Sequence, residues 1–260
     1  MVVDVVFKDN KSISVMETTL TDIKWRDRLL AQLKDGIRIV KAVSSPQERP
    51  DANPEGSILR KVTQEDAATI SELTKLEEEI YSTFRQEIID RKLIVKVIDV
   101  ELYFDKTKVI IYFCSDGFQD FKDVVKRISN NFNVRVEVKG IGVRDAAKLI
   151  PSIGSCGFQT CCSSFIRDFE SITTGMAETQ GLPSDPSRIA GVCGRLKCCL
   201  KFEYDSYKNF LNTAPSVGSI IETQKGKAQI FRYDVMKREV YLKYEDGRTE
   251  KIKVEKLTTS

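Results

Sequence analysis

The sequence predicts a mixed α+β protein of several segments: a central α+β layer, a cysteine-rich segment and a small C-terminal β-barrel-like domain. Three observations carry this. Between residues 93 and 138, two apolar strand patterns are followed by a helical pattern and a third strand. From 139 to 214 regular periodicity fades while glycine, serine and cysteine rise. After 215, short alternating segments are separated by turn residues, among them Asp246-Gly247, a strong hairpin signal.

Taken in order, Val2–Phe7 reads as a strand, Lys8–Lys11 as a turn and Ile13–Met16 as the return strand. Asp22–Leu33 places Ile23, Leu29, Leu30 and Leu33 at loosely helical spacing, and Asp35-Gly36 stops it. Ile37–Val43 alternates like a strand. Pro46, Pro50 and Pro54 then mark a linker at about 44–57. Residues 1–60 are thus a β-rich domain with one helix and a Pro linker.

Residues 61–146 open on a helix. Thr63 suits the N-cap, and Glu65 and Asp66 suit the positive end of the helix dipole. Ile70, Leu73, Leu76, Ile80, Phe84 and Ile88 step by three or four and form one apolar stripe running to about Asp90. Strand Lys96–Phe104, a turn at Asp105-Lys106, strand Val109–Cys114, a helix over about 118–130 and strand Val134–Val138 complete the layer. Cys114 ends an apolar strand and reads as a core residue. Residues 147–214 form the cysteine-rich segment. In 215–260, strands are expected at Ser219–Thr223, Ala228–Tyr233, Glu239–Tyr244 and Glu250–Val254, in a small barrel or curled sheet.

Composition excludes several classes. No apolar run approaches the roughly 18 residues of a membrane-spanning helix. Met1-Val2-Val3-Asp4 does not open a secretory signal, so a cytoplasmic protein with reduced thiols is expected, reaching a membrane only through a partner. The net charge of +3 comes entirely from residues 215–260, with ten basic and seven acidic residues. That is a weak footprint for a dedicated nucleic-acid binder, so any RNA contact should be weak or indirect. With no His, no Gly-rich phosphate loop and no framed carboxylate pair, the sequence predicts a protein that is not an enzyme.

Six of the seven cysteines lie in two copies of one pattern. Gly154-Ser155-Cys156-Gly157-x-x-x-Cys161-Cys162 recurs as Gly191-Val192-Cys193-Gly194-x-x-x-Cys198-Cys199, displaced by 37 residues without a slip. Thiolates select zinc, cuprous copper or iron–sulfur clusters, and without imidazole the site must be all-sulfur or borrow a ligand. The adjacent Cys161-Cys162 and Cys198-Cys199 exceed the needs of a zinc knuckle and suit a polynuclear cluster. Gly154, Gly157, Gly191 and Gly194 let the backbone turn tightly beside a bulky inorganic core. Three thiols per copy are one short of the usual four. Either one intrachain cluster uses four of the six, or a partner completes each copy. Arg195 and Lys197 lie inside the second copy, where the first carries the uncharged Gln159 and Thr160. Nearby positive charge lowers thiol pKa and should make the second triad the readier ligand set.

These residues closely resemble the YaaT/RicT family of bacterial cell-fate regulators. The resemblance covers about Arg60 to Tyr204. It includes Asp116-Gly117, Asp120-Phe121, Ile141-Gly142-Val143-Arg144-Asp145 with Ala147-Lys148, and both triads. Phe165-x-x-Asp168-Phe169, Met176-Ala177 and Pro186-Ser187-x-Ile189-x-Gly191 belong to it as well. Residues 61–146 resemble the domain shared with eukaryotic polymerase-suppressor proteins. The N-terminus departs from the family's glycine-punctuated β pattern in the helical spacing of Asp22–Leu33, which holds the only Trp, Trp25.

The resemblance implies a regulatory subunit of a complex with YlbF-like and YmcA-like partners, carrying 4Fe–4S clusters on the six triad cysteines. Such a complex binds ribonuclease Y and redirects it in messenger-RNA maturation; in spore formers it promotes sporulation, competence and biofilm development. The rival reading from the residues is a zinc-stabilised RNA-binding module that uses the basic C-terminal β domain.

Overall fold

The computed structural model describes residues 1–8, 13–150, 152–166, 169–183 and 185–257. Most of the turn expected at Lys8–Lys11 lies outside these residues, as does Asp168. The chain forms two compact units, Met1–Arg167 and Asp168–Ser260. The cysteine-rich segment is divided between them, with one triad in each.

The first unit begins with a closed five-stranded barrel. Its strands are β1 (Val2–Val6), β2 (Ile13–Glu17), β3 (Arg28–Leu33), β4 (Gly36–Ala42) and β5 (Gly56–Lys61), in the order β1-β2-β5-β3-β4. Alternate residues fill it: Val3, Val5, Met16, Leu29, Ala31, Val40, Ala42 and Ile58 are buried together. Closure leaves no strand edge unpaired.

Two expectations are corrected here. Asp22–Leu33 is not a helix. Arg26 sits at φ 71°, Lys24 donates its backbone N–H to Asp27, and the chain then enters β3. Leu29 and Ala31 face the core at a period of two, and β3 pairs with both β4 and β5, so pairing on two sides overrides a loose helical spacing. The Pro-containing stretch is a loop inside the barrel and not a spacer, because β5 follows it and closes the barrel by running parallel to β2. The tight β3–β4 hairpin needs Gly36 at φ 143°, where a Cβ would stand 2.6 Å from the Tyr103 ring.

Next comes α1 (Asp66–Asp90), then β6 (Val95–Leu102), β7 (Lys108–Ser115), α2 (Lys122–Phe132) and β8 (Arg135–Gly140). β6 and β7 form an antiparallel hairpin, and α2 carries the chain across to β8, parallel to β7. The expected stripe of α1 is confirmed, with Leu73, Ile80, Phe84 and Ile88 buried against Val97, Ile111, Val124 and Ile128. The start of α1 differs. Thr63 donates its N–H and hydroxyl to the Asp66 carboxylate, which also grips Arg60 at 2.6 and 2.8 Å. α2 begins four residues later than expected because Asp120 accepts the Lys122 N–H, leaving Phe118 fully exposed. The other sheet face packs Tyr103, Ile110, Tyr112 and Ile141 under Ala146 of α3 (Val143–Leu149). A four-residue helix, α4 (Cys161–Ser164), follows.

The second unit holds α5 (Thr174–Thr179), α6 (Pro186–Ile189) and α7 (Cys198–Thr213), then β9 (Ile220–Thr223), β10 (Gly226–Asp234), β11 (Glu239–Tyr244) and β12 (Thr249–Lys253). The strands match the expected tail closely and form an antiparallel meander, β12-β11-β10-β9. This is an open sheet; the closed barrel is the N-terminal one. The 16-residue α7 stands in a segment whose fading periodicity predicted no long helix. Only Leu200 and Phe210 of α7 are buried, and each enters a different core: Leu200 joins Ala177 and Ile189, while Phe210 joins Ile230, Val240 and Leu242. Among the described residues no helix is long and apolar enough to cross a membrane.

Candidate functional site

The two cysteine patterns fold into the same turn. In the first, Thr160 donates its N–H to Ser152 O (3.1 Å), Gly154 to Phe158 O (2.8 Å) and Gly157 to Gly154 O (3.0 Å). In the second, Lys197 donates to Ile189 O (2.9 Å), Gly191 to Arg195 O (2.8 Å) and Gly194 to Gly191 O (2.9 Å). Each bond is the other displaced by the sequence offset. The isolated bridges Ile153–Gln159 and Ala190–Leu196 obey it too. Gly157 and Gly194 take φ of 83° and 74°, a left-handed conformation that suits glycine. Both chains then leave an extended residue, Thr160 or Lys197, and start a helix at the first of the paired cysteines.

That arrangement distributes the thiols differently. Cys156 is exposed, Cys162 is buried, and Cys161, Cys193, Cys198 and Cys199 are half-buried. Burial pushes the Cys199 thiol up, with Glu203 and Cys198 adding to the effect and Lys197 opposing it. Lys197 thus acts on Cys199 in the expected direction, and burial outweighs it there. The Lys197 ammonium is engaged by the Arg188 carbonyl at 2.5 Å, and Arg195 is exposed.

As donors, the residues fit an all-sulfur metal group. Each turn and the helix start after it carry three soft thiols, and the missing Cβ of Gly154 leaves room 3.3 Å from Cys156 Sγ; at Gly191 the corresponding clearance to Cys193 Sγ is 3.9 Å. Among the described residues, no three Cys, Asp or Glu side chains converge as a ready-made metal site. Cys114 behaves as the core residue expected. Its Sγ–H donates to Ile141 O at 3.0 Å, and burial pushes its pKa up.

One feature of the first unit had little signal in the sequence. A cleft of about 670 Å³ opens between the barrel, α1 and the first cysteine turn, bordered by Trp25, Arg28, Glu77, Lys148, Gln159 and Ser163. Trp25 is 61% exposed, with the Arg26 guanidinium 4.1 Å from its ring centre. A solitary tryptophan beside arginine was the only hint.

Residues 56–141, from β5 to the end of β8, match the PSP1 C-terminal conserved region. Residues 171–214, with α5, α6, the second cysteine turn and α7, match the third domain of PSP1-like proteins. The α+β layer and the segment with the second cysteine turn are therefore those of a PSP1-domain protein. Over 201 residues the chain is 33% identical to the stage 0 sporulation protein YaaT of Bacillus subtilis (strain 168), covering 77% of this chain and 73% of that one. The chain belongs to the YaaT family. No solved structure matches it.

Proposed function

We propose that this chain is a regulatory subunit, without catalytic activity of its own, whose two cysteine turns ligate iron–sulfur clusters where partner proteins bind. The observation that carries this is the duplicated turn itself. Two segments in different units reproduce the same backbone bonds and offer the same three thiols. A purely structural thiol has no need of an open glycine turn. One coordination position short of four per turn leaves a place for a partner's ligand. Apolar side chains stand exposed beside the turns, with Ile153 at 68%, Phe158 at 76% and Val192 at 58%, and such side chains favour a protein partner over water.

The finer reading follows the family. The clusters are of 4Fe–4S type, the partners are YlbF-like and YmcA-like proteins, and the complex acts on ribonuclease Y-dependent messenger-RNA processing in the cytoplasm. The sporulation role named for the Bacillus subtilis relative supports a regulatory output of this kind. When bound, the clusters would supply redox- and oxygen-sensitive bridging; the chain's residues hold the thiols, shape the turn and present the apolar rim.

Anaerobic purification of the chain alone and with candidate partners, followed by iron, zinc and acid-labile sulfide assay, tests this. Iron with matching sulfide that rises on partner addition is expected. Zinc at one per chain with no sulfide would replace this reading by the zinc-stabilised module.

A further inference from the structure

The C-terminal sheet has two unlike faces. Ala228, Ile230, Val240 and Leu242 point inward and bury against Phe210. Strand alternation sends Lys227 and Gln229 of β10, Tyr241 and Lys243 of β11, and Lys251 and Lys253 of β12 to the other side. The pairing aligns Gln229 with Lys243, and Tyr241 with Lys251. A bulge between Ile230 and Arg232 brings Phe231 and Arg232 outward together. Phe231 is 43% exposed and meets Tyr241 edge-on at 6.1 Å, while the Arg232 guanidinium lies 5.5 Å from the Tyr241 ring centre.

Charge separates the same way. The cations at turns and edges are neutralised: Lys225 by Glu250, Lys237 by Asp234, Arg238 by Glu255 and Arg248 by Asp246. Lys227, Arg232, Lys243, Lys251 and Lys253 are exposed, and among the described residues none has an ion-pair partner. Glu222, Glu239 and Asp234 bring negative charge to this face; Asp234 is engaged by Lys237, and Glu239 Oε2 is buried. The modest net charge of the whole chain conceals a local excess of cations around an aromatic pair. The register sets Lys227 opposite Glu222 and Lys253 opposite Glu239, so the unbalanced charge lies on Arg232, Lys243 and Lys251, whose cross-strand partners are uncharged.

We infer that this outer face, centred on Phe231, Arg232, Tyr241 and Lys251, is a docking surface for a single-stranded nucleic acid, RNA in the setting proposed above. Exposed rings on a sheet stack unpaired bases, and arginine adds a cation–π contact. Lys251 and Lys253 recur about 6.6 Å apart along one strand, a step that can follow an extended phosphate backbone. A duplex would hide the base faces that Tyr241 and Phe231 could stack on. A membrane would require a broader apolar area than exposed Phe231 and Ile220 provide among these cations. Only the choice of RNA rests on the regulatory reading; the surface itself does not.

The test uses the full-length chain and a fluorescein-labelled 20-nucleotide RNA of mixed sequence, read by anisotropy at several salt concentrations. Binding should weaken as salt rises, by a slope of about −0.7 per phosphate contacted. Lys251→Ala with Lys253→Ala should flatten that slope by about 1.4. Tyr241→Ala should weaken binding about fivefold or more through lost stacking, whereas Lys225→Ala, at a neutralised edge, should leave it unchanged. Circular dichroism will show that these surface variants keep the parent fold. Absence of binding at low salt would overturn the inference. So would binding that is insensitive to Lys243→Glu and Lys251→Glu, preference for the duplex form, or capture by phosphatidylglycerol vesicles in place of RNA; preference for single-stranded DNA of the same sequence would overturn the choice of RNA. Failure here is distinguishable from failure of the regulatory reading, because iron, sulfide and partner assembly should be unaffected by these variants.

Discussion

Arg38 of the barrel and Glu101 of the layer form a buried two-armed ion pair. Arg38 Nε and Nη2 donate to Glu101 Oε1 at 3.0 and 2.7 Å, and Nη2 also reaches Oε2 at 2.7 Å. The side chains are 9% and 7% exposed. Tyr112 OH donates to the same carboxylate at 2.8 Å, and the Phe7 ring lies 4.1 Å from the guanidinium. Alongside it, Phe104 N–H donates to Ile37 O and Ile37 N–H donates to the Asp105 carboxylate. The pair therefore fixes how barrel and layer meet inside the first unit.

Removing one arm should cost more than removing both. Glu101→Gln leaves a buried guanidinium without its counter-charge, an expected loss of about 3–5 kcal/mol. Arg38→Met with Glu101→Leu leaves no charge behind and should lose clearly less. Urea unfolding followed by the single tryptophan reads this directly, since Trp25 lies in the same unit. A double variant as unstable as Glu101→Gln would show that packing, and not the stranded charge, sets the cost.

The alkaline limb of stability should depend on Tyr103. Its hydroxyl donates to Asp35 at 3.0 Å, and Lys108 reaches the same carboxylate at 2.6 Å. Burial pushes the Tyr103 phenol up to about 12, with Arg38 opposing the rise and Asp35 adding to it. The folded chain therefore keeps this proton while the unfolded chain releases it near 10. The contribution is fully present below pH 10 and is lost as pH rises through about 12. Tyr103→Phe, compared with the parent by urea unfolding from pH 9 to 12, should show a shallower decline. Equal slopes would place the alkaline loss elsewhere.

Legibility in the sequence followed periodicity. The α1 stripe, β6, α2, β8 and the four tail strands repeat at about 3.6 or 2.0 residues, β7 is a short continuous apolar run buried on both faces, and all were readable. β3 was not, because Leu29, Leu30 and Leu33 fit a loose helix until pairing on both sides selects the strand. The barrel's closure was not, because the parallel contact of Met16 with Gly56 joins residues that no local pattern links. Helix α7 escaped because its two buried anchors, Leu200 and Phe210, lie ten residues apart in different cores. The cysteine turns were legible through their constant offset. Their thiol environments were not, since these depend on where Lys197 and Glu203 point after folding. The sheet face was hidden for a similar reason: which lysines lack a partner is decided by register.

The glycines of the turns should tolerate asparagine better than alanine. Gly194 sits at φ 74°, and a Cβ added there would meet nothing within 4 Å, so a substitution faces backbone strain and no steric clash. Left-handed alanine costs about 1–2 kcal/mol, while asparagine visits that region routinely. Gly194→Ala should therefore weaken hydrogen-exchange protection of the Gly194 and Lys197 amides more than Gly194→Asn does, and Gly157 should behave alike in the first turn. Equal effects would mean that side-chain size, and not handedness, limits the position.

Thiol reactivity and metal content should follow the same order of exposure. Iodoacetamide acting on the metal-free chain should modify exposed Cys156 first and buried Cys162 last, with Cys199 slow because burial disfavours its thiolate. Anaerobic reconstitution with iron and sulfide in the presence of partner should then protect Cys156 most visibly, since it has the least protein cover to lose. Cys161→Ser and Cys198→Ser, each at the first residue of a helix, should lower both iron content and partner assembly, because cluster and interface would share those sulfurs. Cys114→Ser should change neither beyond about 1 kcal/mol of stability, as a serine hydroxyl can still donate to Ile141 O. Triad variants that lose iron yet assemble normally would separate the cluster from the joint. A full complement of iron and sulfide on the isolated chain would exclude a partner's ligand altogether, because each turn would then be complete without one.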